Sequence, residues 1–229
     1  MNPGLSSLLS RLVIAPYSVL GQQMVPGKGV VEKASRPDQT IAFCDPAGLP
    51  FIQHYGPQMA GGASGALYAF LGIRDSEAFP DPVRQAVTTI ASAKYHQYGM
   101  LHCIHTVGPN FNMGKEDGTQ YTREEAIDEL ATAYRNVLRE FAMASVGDDG
   151  PFTLRLLPIS GGIFAGPFQE EIATLTMEAI SAADSSLEAS ARNILISDKV
   201  RVELCVFMEN EYDAFLKAHT SACSAVSSS

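Results

Sequence analysis

Short, unbroken apolar runs alternate along this chain with longer stretches in which apolar residues recur every three or four positions. Residues 40–44 (TIAFC), 101–107 (LHCIHTV), 152–159 (FTLRLLPI) and 200–208 (VRVELCVFM) are strand-sized and nearly continuous, the pattern of strands covered on both faces. Helical spacing predicts helices over 66–72, 82–95, 122–144, from 167 or 168 to 182, and 211–218. Asp81 followed by Pro82 suits a helix start. Thr122 with Glu125 three residues on makes a capping box, and Glu170 and Glu171 would sit in a favourable first turn. Breakers stand between the runs: Asp45-Pro46-Ala47-Gly48, Gly108-Pro109, a turn over 147–151, and Ser160-Gly161-Gly162. Alternation of this kind predicts one α/β domain, a mostly parallel sheet with helices on both faces.

Composition narrows the function classes. With 229 residues, 46% hydrophobic and 18% charged, the chain can bury a full core and does not read as disordered. The net charge of −9 argues against coating a nucleic-acid backbone, and the apolar runs are too short to span a bilayer. Any anionic ligand therefore depends on local donors. Cys44, Cys103, Cys205 and Cys223 lack the spacing of a disulfide framework or zinc site. This composition points to a reducing compartment, cytoplasmic or nuclear, with no metal and no cofactor. His102 and His105, three apart on a strand, point to opposite faces and do not form a metal pair. Tyr95, His96 and Tyr98 read as a loop with ordinary surface packing. Residues 1–31 contain no acidic side chain; transit peptides start this way, so mitochondrial import is the alternative address, although one arginine among the first residues is a poor count. The expected division is an N-terminal extension over 1–28, a domain over 29–219 and a loose serine-rich tail over 220–229.

Two glycine-rich segments carry the candidate chemistry, each between a strand and a helix. Gly61-Gly62-Ala63-Ser64-Gly65 is the first and Ser160-Gly161-Gly162-Ile163-Phe164 the second. Glycine lets backbone amides converge on one point, and a following helix start favours an anion. Neither is a Walker loop nor a clean GxGxxG. Facing one crevice, the two would hold a diphosphate.

The order of motifs extends this. IHTVGP at 104–109 closes one strand, and PISGGIFAGP at 158–167 forms the second loop. With the GGASGAL run at 61–67 and the last strand ending at Phe207, the chain resembles the macrodomain family, which binds ADP-ribose and includes ADP-ribose-phosphate-processing members. The resemblance covers roughly residues 29–218. It implies a three-layer α/β/α sandwich with a mixed, mostly parallel sheet, and ADP-ribose or an ADP-ribosylated protein as partner. It matches Gly61, Gly62, Ala63, Ser64 and Gly65 to the first phosphate loop. Ser160, Gly161, Gly162, Ile163 and Phe164 match the second, with Phe164 by the distal ribose and Phe207 near the adenine.

The same resemblance shows departures. Where the family carries an N-A-A-N run at a strand end, this chain has Phe43 and Pro46 in the asparagine places. Ser64 replaces the aspartate of the branch that hydrolyses mono-ADP-ribose from acidic side chains. The acidic reader of the adenine amino group falls on Val30, or on Gln22 if the alignment slips. Weak base selectivity is therefore expected, with the diphosphate dominating affinity. For catalysis, Ser64 has no adjacent histidine to activate it; Asp45 and His54 are the candidate substitutes, each also reading as an ordinary turn or surface residue. Three functions follow: a ligand-binding reader, a hydrolase using replacement residues, or a degenerate interaction domain. Surviving glycines favour the first over the third, and the lost asparagine and aspartate favour it over the second.

Overall fold

The computed structural model describes residues 7–115, 117–147 and 150–227. In chain order the elements are α1 (Leu8–Arg11), β1 (Val13–Ala15), β2 (Gln22–Val25), β3 (Gly29–Glu32), β4 (Ile41–Pro46), α2 (Gly62–Leu71) and α3 (Asp81–Ala86). Then come β5 (Ala93–Tyr98), β6 (Leu101–Thr106), α4 (Arg123–Ala144), β7 (Thr153–Leu156), α5 (Ile172–Ser186), α6 (Ala189–Leu195), β8 (Arg201–Cys205) and α7 (Glu209–Ser227).

The main sheet runs β1-β8-β7-β4-β6-β5, parallel throughout except for the antiparallel edge strand β5. Side-chain alternation divides the core. Ala42, Cys44, Ile104, Leu154 and Leu204 face α4, α5 and α7 on one side, while Phe43, Cys103 and Cys205 face α2 and α3 on the other. This is the three-layer α/β/α sandwich expected, with a mixed, mostly parallel sheet. The β2–β3 hairpin stands apart from the sheet, tethered where the Met24 amide donates to the Phe207 carbonyl. Thr122 and Glu125 make the capping box of α4 as expected, and Ala126, Leu130, Ala133, Val137, Leu138 and Phe141 form its buried face.

Several boundaries differ from the sequence reading. The helix expected over 82–95 ends at Ala86, and 93–98 is a strand. Its residues pair with β6 across the tight turn at Gly99 (φ +61°), so the hairpin outweighs the local helical spacing. Helix α3 itself includes Asp81, and Pro80 occupies the cap. Asp45 and Pro46 belong to β4, paired with His105 and Thr106, and do not form a breaker. The strand expected to reach Ile159 ends at Leu156. Two short 3₁₀ turns precede α5, so Glu170 and Glu171 lie ahead of its first turn.

Residues 220–227, expected as a loose tail, continue α7. Cys223 Sγ and His219 Nε2 both pack at the Leu9 carbonyl. Residues 8–28 supply an edge strand of the main sheet and half of the hairpin. The outermost residues of the acid-free start (1–6), the centre of the 147–151 turn (148–149) and the final two serines lie outside the described residues.

Candidate functional site

A cleft of about 470 Å³ opens beyond the carboxyl ends of β1, β7 and β8, where open α/β sheets place ligands. Both glycine-rich segments reach it. Gly62 and Ala63 come from one side, Gly161 and Gly162 from the other, and Phe207 lines it after β8. The remaining residues matched to the loops do not line it. Gly65 lies within α2, where an added Cβ would sit 2.8 Å from the Ala60 carbonyl oxygen. Ser160 is buried and its Oγ donates to the Pro109 carbonyl at 2.6 Å. Ile163 is 83% exposed, and the Phe164 carbonyl accepts from the Phe111 amide.

The donors are backbone. Helix α2 starts at Gly62 rather than at Ala66, so the first glycine-rich segment is itself the helix N-terminus. Gly61 is its cap and offers no side-chain acceptor. The first amides of a helix have no carbonyl one turn earlier, and the macrodipole adds partial positive charge there. In the second loop the Gly161 amide is used within the turn, donating to Pro158 O at 3.0 Å. Gly162, at φ +60°, faces open space with bare backbone. Gly108 packs against this loop so closely that a Cβ would lie 2.7 Å from Ser160 Oγ. That contact explains why glycine follows the β6 strand.

Beneath α2 lies a buried polar cluster. Asp45 is fully buried; its Oδ1 accepts from Ser64 Oγ at 2.7 Å and its Oδ2 from Tyr68 Oη at 2.5 Å. His105 Nδ1 donates to the same Oδ2 at 2.7 Å, leaving Nε2 to accept from Tyr98 Oη at 2.9 Å. Burial first, then the Asp45 charge, drives the Tyr68 phenol well above its ordinary pKa. Cys103 brings its sulfur near this group, within 4.8 Å of the Asp45 and His105 ligand atoms. Its thiol is likewise held protonated by burial and by Asp45, and both Asp45 oxygens already accept hydrogen bonds. The chemistry is that of a hydrogen-bonded core. The sequence reading assigned Asp45 and Ser64 to a turn and a loop. The fold instead ties them together and directs the serine hydroxyl toward the core, away from the cleft. Asp45 stands between Ser64 and His105, so the histidine does not activate the hydroxyl as it would in a nucleophilic triad. His54 is exposed and does not line the cleft. His102 points to the opposite face, its Nδ1 2.6 Å from Tyr95 Oη.

Another buried group builds the cleft wall. Arg155 on β7 pairs with Glu203 on β8 (3.1 Å) and donates to the Val19 carbonyl (3.0 Å). Its guanidinium lies 5.0 Å over the Tyr17 ring, and Tyr17 Oη donates to Glu203. Ser18, Val19 and Leu20, held by these contacts, line the cleft.

No protein-family model matches the sequence. Among solved structures, two variants of the Oceanobacillus iheyensis macrodomain align with TM-scores of 0.51. One covers 93% of this chain and 92% of that chain at 16% identity, the other 86% and 88% at 19%. The chain has the macrodomain fold. Alphavirus P23pro-zbd aligns with a TM-score of 0.50 and 16% identity, over 79% of this chain and 21% of that chain. A polyprotein of O'nyong-nyong virus is 31% identical over 88 residues, 38% of this chain. The match spans 3% of the polyprotein's length.

Within the macrodomain fold, the places expected to hold asparagines are spent on structure. Phe43 is fully buried, edge-on to Phe70 at 5.6 Å, and Pro46 ends β4 beside Thr106. Val30 and Gln22 do line the cleft, although the Gln22 amide already donates to Glu32 Oε1 at 2.7 Å. The sequence reading missed one ionisable group in the cleft, Glu211 on α7. A signal was available: Glu211 lies four residues before the buried Phe215, so the two share a helix face.

Proposed function

We propose that this protein binds ADP-ribose, or a closely related nucleoside diphosphate sugar, as a reader. The observation that carries this reading is the meeting of the α2 N-terminus with the Gly161-Gly162 turn across one cleft. Backbone donors from two sides suit a diphosphate, and each charge-assisted hydrogen bond is worth about 1.5–3 kcal/mol. Most of the remaining lining, including Val19, Leu157, Pro158, Val206 and Phe207, is apolar and suits a planar base. Binding is favoured over hydrolysis because Ser64 is turned inward and Asp45 is enclosed.

Calorimetry with ADP-ribose, ADP and AMP tests the reading, with ADP-ribose and ADP expected to bind and AMP much more weakly. Ala63→Glu is the companion variant. It sets negative charge against the ligand phosphates while the same charge favours the helix start. Loss of ADP-ribose binding with an unchanged or raised melting temperature is the expected result. Undiminished affinity in Ala63→Glu would remove α2 from the site.

A further inference from the structure

We propose that Arg74 is a positioning residue of the anion site, fixing the start of α2 and supplying the positive charge that the cleft lining lacks. The inference rests on the diphosphate-binding reading and deepens it by naming the group that strengthens its backbone donors.

The lining itself is short of positive charge. Among the described residues that line the cleft there is no lysine, arginine or histidine, and the one carboxylate is Glu211. The chain as a whole carries −9, a field that repels a diphosphate. Arg155, which builds the cleft wall, is neutralised by Glu203 at 3.1 Å. Arg74 lies outside the lining but against its key element. After Gly72 (φ +74°) caps α2 the chain folds back, and Arg74 Nη1 donates to the carbonyls of Pro57, at 3.3 Å, and of Ala60. Ala60 immediately precedes the Gly61 cap. The same Nη1 lies 3.1 Å from where a Cβ on Gly65 would stand, and Gly65, three residues beyond Gly62, adjoins it on the helix surface. The guanidinium therefore packs against the first turn of α2, the turn that meets the cleft.

A cation at that end of a helix is the unfavourable arrangement, because the macrodipole already concentrates positive charge there. Among the described residues Arg74 has no carboxylate partner, and the two carbonyls are its hydrogen-bond acceptors. Asp45, beneath α2, is committed to Ser64, Tyr68 and His105. Arg74 is half-buried, so its charge is screened less than one in open solvent. Helix start and guanidinium thus add at one place, and a bound anion relieves both. One side chain does two things. Its hydrogen bonds hold the turn that leads into Gly61 and Gly62, and its charge adds a full unit to the roughly half unit of the helix end. A ligand gains from this in proportion to its phosphate charge, which favours a diphosphate over a neutral nucleoside.

The test is calorimetry with ADP-ribose on the wild-type chain, Arg74→Gln and Arg74→Lys, at low and at high ionic strength. Arg74→Gln keeps a donor without the charge and is expected to bind about tenfold more weakly. Wild-type affinity is expected to fall as salt rises, and that of Arg74→Gln to fall much less. Arg74→Lys keeps the charge and is expected to stay within about threefold of wild type, with the wild-type salt response. Loss of packing alone would weaken binding and leave the salt response as it was. Wild-type affinity or an unchanged salt response in Arg74→Gln overturns the inference, and so does Arg74→Lys binding as weakly as Arg74→Gln. Should Arg74→Gln fail to fold, Arg74→Lys decides: retained affinity and salt response support the inference, and a loss of about tenfold overturns it. Wild-type binding indifferent to salt overturns it whatever the variants do. In all of these outcomes the wild type binds, so the nucleotide-binding reading stands. Failure of the wild type to bind ADP-ribose overturns that reading and this inference together.

Discussion

At the scale of single residues, the buried acid Asp45 organises the polar core more than it does chemistry. It accepts from Ser64, Tyr68 and His105 at 2.5–2.7 Å, so Asp45→Ala leaves three donors unpaired, two of them fully buried. The expected loss of stability is about 3–5 kcal/mol, read from urea unfolding. Ser64→Ala removes one neutral hydrogen bond and should cost about 1 kcal/mol while ADP-ribose affinity stays within a few-fold of wild type. Turnover of mono-ADP-ribosylated acidic side chains by the unmodified protein is expected to be absent or orders of magnitude below an active hydrolase. Robust turnover that Ser64→Ala abolishes would overturn the reader assignment. The sequence shows this cluster only in part. Asp45, Ser64 and His105 each stand out by residue type. Their convergence depends on β4 lying beside β6 and on α2 crossing above them, and sequence separations of 19 and 60 residues do not reveal that.

At the scale of elements, α2 makes the clearest contrast between propensity and packing. Alanine is a better helix former than glycine by about 1 kcal/mol, so Gly65→Ala would stabilise an isolated helix. In the fold an added Cβ meets the Ala60 carbonyl oxygen at 2.8 Å and the Arg74 guanidinium at 3.1 Å. We therefore expect Gly65→Ala to lower the melting temperature, with a cost of about 1–3 kcal/mol. A gain in stability would show that the α2 start can shift freely, and the site geometry would lose its rigid side. The β5–β6 hairpin shows the same principle in the other direction. Apolar spacing over 82–95 favours a helix, but edge pairing through six residue pairs from Ala93↔Thr106 to Tyr98↔Leu101 decides the second half of that stretch.

Across the whole molecule, the core holds thiols and phenols in their neutral forms. Burial raises the pKa of Cys44, Cys103 and Cys205, with Asp45 adding to the first two and Glu203 to the third. Burial raises Tyr68, Tyr98 and Tyr134 in the same way. The unfolded chain ionises these groups at about 8.5 for thiols and about 10 for phenols, whereas the folded chain resists. Their contribution to stability is thus complete below pH 8.5 and lost progressively as the pH rises toward the folded-state values. Each such group removes about 1.4 kcal/mol per pH unit above its unfolded pKa. Urea unfolding under reducing conditions should show a midpoint that falls steadily from about pH 8.5 to 10. A flat midpoint across that range would mean the thiols ionise in the folded state.

The strand-and-helix alternation, the two glycine turns and the capping box at Thr122 are local facts. They follow from periodicity, chain flexibility and hydrogen bonds between residues a few positions apart, so residue order alone carries them. The α/β sandwich and the resemblance that suggested its ligand rest on such signals. Which glycine amides remain open toward the cleft and which are consumed within a turn is a matter of backbone angles, set by contacts such as Gly108 against Ser160. Why Asp45 is enclosed, why residues 220–227 are helical against Leu9, and why Glu211 lines the cleft all depend on elements distant in sequence packing together. Burial and long-range pairing are properties of the assembled layers, and no local pattern of residues encodes them.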